Sequence, residues 1–94
     1  MEIHDWRKKI DAIDAEILCL LNKRAECTIA IGLLKAKHDL PVYMPQRESE
    51  ILNRLISENQ GPLTPDGVKR IFERIIDESR KLEKEKMLNT NQKD

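Results

Sequence analysis

The segment of the chain with the clearest pattern is residues 6–37, WRKKIDAIDAEILCLLNKRAECTIAIGLLKAK. Its apolar side chains recur in steps of three and four residues, interrupted once at Arg24: Trp6, Ile10, Ile13, Ile17, Leu20, Cys27, Ile31 and Leu34. This heptad spacing is typical of a long amphipathic helix that packs along another helix. We expect the helix to extend from about Asp5 to about His38, which at about 1.5 Å per residue is about 50 Å.

The length of this first helix indicates how the protein assembles. A globular domain of 94 residues is narrower than such a helix is long. In a single chain, most of the apolar stripe would therefore face solvent. The length predicts that a second copy of the chain covers the helix in a homodimer.

Two shorter helices are predicted beyond the proline-rich connection at residues 41–45. The second begins at Pro45, a residue favoured in the first helical turn, and ends near Glu58. The third has Thr64 as its N-cap and Pro65 as its first residue. Since no segment alternates with period two, the predicted fold class is all-α, with three helices. We expect residues 1–88 to form one helical domain, the third helix to fray from about Lys84, and residues 89–94 to be a disordered polar tail.

Composition excludes several classes of function. The 17 Lys and Arg residues balance 17 Asp and Glu residues, and this zero net charge argues against a nucleic-acid partner. No apolar run approaches the roughly 20 residues of a membrane span, and the N-terminus does not resemble a signal peptide. Cys19 and Cys27 lie eight residues apart on a helix, about 12 Å and too far for a disulfide. With no metal-ligand spacing either, we expect a cytoplasmic protein without a membrane partner or a bound metal.

Polar side chains interrupt the apolar stripes of all three predicted helices. Six of them would meet in one interior region if the stripes packed together: Arg24, Lys35, Arg47, Glu48, Ser79 and Glu83. Burying charge is costly unless the charges are paired or hold a ligand. One interpretation is a buried ion-pair network that joins Arg24 or Arg47 to Glu48 or Glu83. The excess of cations favours the other interpretation, a pocket for a small polyanion.

Arg7 cannot serve that pocket within its own chain. It precedes Arg24 by 17 residues, about 25 Å along the same helix. Taken alone, Arg7 is interpreted as a solvated surface charge. In an antiparallel dimer, however, Arg7 of one chain approaches the pocket of the other. Because the sequence contains no Ser/His/Asp set and no glycine-rich phosphate loop, an enzyme built this way would act by binding and electrostatics.

Several motifs, taken in order, carry a family resemblance. They are Trp-Arg-Lys-Lys-Ile-Asp-Ala-Ile-Asp (6–14), Leu-Leu-Asn-Lys-Arg (20–24), Ile-Gly-Leu-Leu-Lys-Ala-Lys (31–37), Pro-Val-Tyr-Met-Pro-Gln-Arg-Glu (41–48) and Ile-Phe-Glu-Arg-Ile-Ile-Asp-Glu-Ser (71–79). The set resembles the all-helical class of chorismate mutases over about residues 6–83. The resemblance implies an intertwined homodimer that rearranges chorismate to prephenate, without a cofactor, in phenylalanine and tyrosine biosynthesis.

The resemblance also implies roles for individual residues. Arg7, donated across the dimer, and Arg24 would hold the two carboxylates of the substrate. Lys35 would bind a carboxylate and the ether oxygen, where negative charge develops. Glu48 would take the ring hydroxyl, Ser79 would touch a carboxylate, and Arg47 would support the cluster. The implied catalytic residues are Lys35, Glu83 and Arg24.

Two positions depart from the family pattern. Met44 replaces an acidic residue that is common near the ring hydroxyl, which leaves the backbone N–H of Met44 for that contact. Glu83 stands where many relatives have glutamine and some have glutamate, and a glutamine can donate a hydrogen bond to the ether oxygen. An ionised glutamate cannot donate one, so we expect Glu83 to act in its protonated form. The rate should then fall as the pH rises, and Glu83→Gln should flatten this dependence.

Two alternative functions fit the same residues. Isochorismate pyruvate lyase shares the resembled fold and a cationic pocket, and it releases salicylate. A non-catalytic regulatory domain, as part of a longer protein, would bind chorismate or prephenate without converting it.

Overall fold

A computed structural model of the chain describes residues 1–91, and these residues form three helices. They are α1 (Ile3–Lys37), α2 (Pro45–Glu58) and α3 (Pro65–Asn91). No strand occurs in this part of the chain, so the all-α prediction with a long first helix is confirmed. No helix within residues 1–91 is both long and apolar enough to cross a membrane.

Local signals set where the helices begin. The Asp5 carboxylate accepts a hydrogen bond from the backbone N–H of Glu2 at 2.8 Å, one half of a capping box. This contact starts α1 at Ile3, two residues earlier than predicted. Helix α2 has the predicted bounds. At α3, the Thr64 hydroxyl accepts a hydrogen bond from the N–H of Gly67 at 3.0 Å, which confirms Thr64 as the N-cap.

The C-terminal part of α3 differs from the prediction. The helix does not fray at Lys84 but continues to Asn91. The reason is that lysine, glutamate, methionine and leucine, which fill residues 84–88, all have high helix propensity. The backbone of residues 89–91 completes the helix, and residues 92–94 of the predicted disordered tail lie outside the described residues.

Helix α3 packs against both α1 and α2, and Gly32 of α1 lies close to the α3 backbone. A Cβ atom at Gly32 would lie only 3.1 Å from the Cα of Glu83 and 3.2 Å from its carbonyl oxygen. The absence of a side chain at Gly32 therefore lets the α3 backbone reach α1 at this level. The buried apolar residues are few (Ile51, Val68 and Ile76), so the core of a single chain is small.

The N-terminal half of α1 projects away from the other two helices. The Cα atoms have a radius of gyration of 16.7 Å, whereas a compact domain of this size has about 12 Å. The apolar stripe predicted from the sequence lies uncovered in a single chain; Trp6, Ile13 and Leu20 are 54%, 53% and 62% exposed. A patch of this kind is typical of a protein–protein interface.

Candidate active site

One cavity of about 480 Å³ contains most of the predicted site residues. It lies between the C-terminal half of α1, the start of α2 and the C-terminal half of α3. Its volume is in the range of small-molecule sites. The predicted residues that line it are Arg24, Lys35, Met44, Arg47, Glu48, Ser79 and Glu83. Arg7 does not line it; Arg7 is exposed on the projecting half of α1.

Lys35 and Glu83 form the most buried charged pair of the cavity. The Lys35 ammonium lies 3.1 Å from Oε1 and 3.4 Å from Oε2 of Glu83, and it donates a third hydrogen bond to the carbonyl of Val42 at 3.2 Å. The two side chains are 12% and 11% exposed. The pair lies beside the contact between Gly32 of α1 and the backbone of Glu83 in α3.

Arg24 is oriented by Ser79. Its Nη1 donates a hydrogen bond to the Ser79 hydroxyl, which in turn donates to the carbonyl of Ile75 at 2.9 Å. The hydroxyl proton of Ser79 is therefore used within α3, and its oxygen holds the guanidinium. In this geometry, Ser79 positions Arg24 at the wall of the cavity.

The charges in the cavity do not form the ion-pair network that was one interpretation of the sequence. Within residues 1–88, neither Arg24 nor Arg47 lies within 4.0 Å of a carboxylate. The carboxylates expected to pair with them contact other cations: Glu83 contacts Lys35, and Glu48 contacts Arg80. Two guanidinium groups are thus left for an anionic ligand, and this geometry favours the polyanion pocket.

Met44 is the N-cap residue of α2, at the mouth of the cavity. Its carbonyl accepts a hydrogen bond from the N–H of Glu48 at 3.2 Å. Its own N–H donates to no acceptor in the described part of the chain. The backbone donor expected at this position is therefore available to a ligand.

Arg80 also lines the cavity and was not among the residues predicted from the sequence. Its Nη2 and Nε donate to the two carboxylate oxygens of Glu48 at 2.9 and 3.2 Å. The hydrogen bond with Glu48 raises the pKa of Arg80, and partial burial opposes this shift less strongly. The signal in the sequence was the position of Arg80 one helical turn after the buried Ile76. Thr28, which is buried one turn after Arg24, was missed in the same way.

A second, apolar cavity of about 540 Å³ lies in the groove between the middle of α1 and α3. Its apolar wall consists of Ile17, Leu21, Ala25, Ile71, Ile75 and Leu82. Arg24 and Ser79 form its border with the first cavity. Within the described residues, no group of three or more His, Cys, Asp and Glu side chains could hold a metal ion.

Together, the fold and the site define an all-helical domain with a cation-rich pocket for a small anion. The sequence model of the family "Chorismate mutase type II" matches residues 6–84, so the chain belongs to the chorismate mutase type II family.

Individual proteins show the same relationship. The bifunctional chorismate mutase/prephenate dehydratase of Aquifex aeolicus is 39% identical over 87 residues, which cover 88% of this chain but 24% of that protein. The chain spans a quarter or less of the length of such curated relatives.

Two solved structures are similar over nearly their whole length. The chorismate mutase (form II) of Thermus thermophilus superimposes with a TM-score of 0.86 at 38% identity, over 87% of this chain and 93% of that one. The chorismate mutase of Helicobacter pylori in complex with prephenate has a TM-score of 0.83 at 33% identity, over 90% and 92% of the two chains.

Proposed function

We propose that this chain catalyses the rearrangement of chorismate to prephenate in the biosynthesis of phenylalanine and tyrosine. The observation that carries the proposal is the cavity in which Arg24 and Arg47 have no carboxylate partner, beside the Lys35–Glu83 pair. The relative from H. pylori, whose structure contains prephenate, supports this choice of ligand. No step of a unimolecular rearrangement requires a nucleophile or a cofactor.

The arginines orient the substrate. Chorismate carries two carboxylates, one on its ring and one on its flexible enolpyruvyl arm. Arg24, held by Ser79, offers a fixed fork for one carboxylate, and Arg7 of a second chain offers another. Arg47 adds positive charge at the rim. Fixing both carboxylates holds the arm over the ring in a reactive geometry, an orientation effect that lowers the barrier.

Lys35 and Glu83 act on the bond that breaks. As the C–O bond lengthens, negative charge develops on the ether oxygen. An ammonium has three N–H donors, and Lys35 can turn one of them to that oxygen while it remains bound to Val42 and Glu83. Because this interaction strengthens only in the transition state, it raises kcat. In the protonated form, Glu83 adds a second donor beside Lys35.

Glu48 and Met44 act at the ring hydroxyl. The Glu48 carboxylate accepts a hydrogen bond from the ring hydroxyl, and the free N–H of Met44 donates one to the hydroxyl oxygen. Both contacts exist in the ground state and in the transition state, so they contribute mainly to binding.

A homodimer completes the site. The uncovered stripe on α1 supports a partner of matching apolar character, and a second α1 in antiparallel orientation provides one. The same arrangement takes Arg7 to the cavity of the other chain. We further propose that residues 1–88 form the catalytic domain. The free thiols of Cys19 and Cys27 fit the reducing cytoplasm.

The test is consumption of chorismate by the purified protein, with identification of the product, at an acidic and a neutral pH. We expect prephenate, formed faster at the acidic pH. Salicylate from isochorismate, with chorismate untouched, would instead identify a lyase. Survival of both substrates at both pH values would identify a binding domain.

A further inference from the structure

Arg80 is the one cation of the cavity to which the proposed chemistry assigns no task. It joins three parts of the chain that the fold brings together. Its guanidinium fork holds both oxygens of Glu48 at 2.9 and 3.2 Å, and Nη2 also lies 3.2 Å from the carboxylate of Asp77. The guanidinium carbon lies 5.1 Å from the ring centroid of Tyr43, in the connection between α1 and α2.

The charge on Arg80 is already matched, unlike that on Arg24 and Arg47. Two carboxylates lie within 3.2 Å of its nitrogens, and two of these nitrogens are used in the fork. An anionic ligand would therefore meet an engaged guanidinium at Arg80 and unpaired ones at Arg24 and Arg47. Direct binding of a substrate carboxylate by Arg80 is disfavoured on this ground.

The pair with Glu48 also has little value for stability alone. Arg80 is 36% exposed and Glu48 23% exposed, and ion pairs in contact with water contribute little to folding. The pair matters more for the orientation that it gives to the Glu48 carboxylate. A glutamate has three rotatable bonds and no fixed orientation of its own, whereas a two-point fork fixes the plane of the carboxylate.

We propose that Arg80 is a positioning residue. It holds the Glu48 carboxylate in the orientation in which this carboxylate accepts a hydrogen bond from the ring hydroxyl of the substrate, and it does not touch the substrate itself. This inference rests on the proposed function. A positioning role through Glu48 makes two demands. The effect of losing Arg80 must appear mainly in KM, because the hydroxyl contact is present before and during the reaction. It must also disappear once Glu48 is absent.

The experiment measures kcat and KM for chorismate in the native protein, Arg80→Met, Glu48→Ala and the double variant. We expect Arg80→Met to raise KM about tenfold with kcat within about twofold, which is the usual range for residues of one network. In the Glu48→Ala background, the same substitution should change neither constant. An equal loss in both backgrounds would overturn the proposal, because Arg80 would then act on the substrate or on the fold. Unchanged kinetics of Arg80→Met would overturn it as well.

Two further variants serve as controls. Arg54→Met removes an exposed ion pair with Glu58 on α2, 3.3 Å long, whose two residues do not line the cavity, and should leave both constants unchanged. If Arg80→Met does not fold, Arg80→Lys keeps the charge but not the fork. We expect it to raise KM several-fold, and a native KM would contradict the proposal. The native protein in the same assay tests the mutase function separately. If it did not consume chorismate, the proposed function would be wrong and there would be no KM with which to compare the variants.

Discussion

Arg7 offers a decisive test of a site shared between two chains. Arg7→Ala and Lys35→Ala should each lower the rate about tenfold or more, because one removes a carboxylate contact and the other a transition-state contact. If Arg7 acts across the dimer, a mixed dimer of the two variants has one site with every residue intact. That site consists of the cavity of the Arg7→Ala chain and the Arg7 of the Lys35→Ala chain.

The expected magnitude follows from helix geometry and symmetry. Arg7 and Arg24 are both on α1, about 25 Å apart along its axis, so no rotamer brings Arg7 to the cavity of its own chain. Random mixing of equal amounts of the two variants makes about half of the dimers mixed, each with one working site of two. The mixture should then recover about a quarter of the native rate. The parent variants should be well below this level, about 10–100-fold below the native rate for Arg7→Ala and about 10²–10³-fold for Lys35→Ala.

The assay is the rate of prephenate formation after the two variants are unfolded together and refolded, with differently tagged chains to measure mixed dimers by co-purification. A matched control pairs Arg24→Ala with Lys35→Ala. These two residues line the same cavity of one chain, so every mixed dimer has two defective sites and no activity should return. Mixed dimers that form without recovery of activity in the first pair would refute the shared site.

Three other substitutions test the proposed chemistry and the packing beneath it. Lys35→Ala should lower kcat about 10²–10³-fold, the usual loss for one preorganised donor, and a steady-state kcat near the native value would contradict the electrostatic mechanism. Glu83→Gln should flatten the pH dependence of kcat/KM, with the native protein faster at acidic pH; a native profile that is already flat would exclude a protonated Glu83. Gly32→Ala should lower both the melting temperature and kcat: its Cβ would press on the Glu83 backbone, and overpacking typically costs about 1–3 kcal/mol, more than the gain of about 1 kcal/mol in helix propensity. A higher melting temperature with native kcat would show that α3 can move away from the added Cβ without loss of stability or catalysis.

The sequence predicted those features that depend on local signals. Pro45 and Thr64 define helix starts by their own stereochemistry, so the starts of α2 and α3 agree with the prediction. The meeting of Arg24, Lys35 and Glu83 in one cavity also followed from the apolar stripes. When the apolar faces of the helices pack together, the polar residues that continue those faces must also come together.

Features that depend on how the helices rotate against each other were not predictable in the same way. Which carboxylate pairs with which cation depends on shifts of an ångström or less, and the sequence allowed Glu48 to pair with Arg24 or Arg47 as readily as with Arg80. The contact between Gly32 and Glu83 depends on the crossing of α1 and α3. The placement of Arg7 at a cavity depends on a second chain, whose register one sequence does not define.

The zero net charge of the chain has a consequence for how an anionic ligand reaches the cavity. Four cations line the cavity together with three carboxylates, and the whole chain has no net charge. A dianion in solution therefore meets almost no long-range attraction, and what field remains is screened within about 8 Å at physiological ionic strength. Association then depends on ordinary diffusion, and the arginines act only on anions that have already entered the cavity.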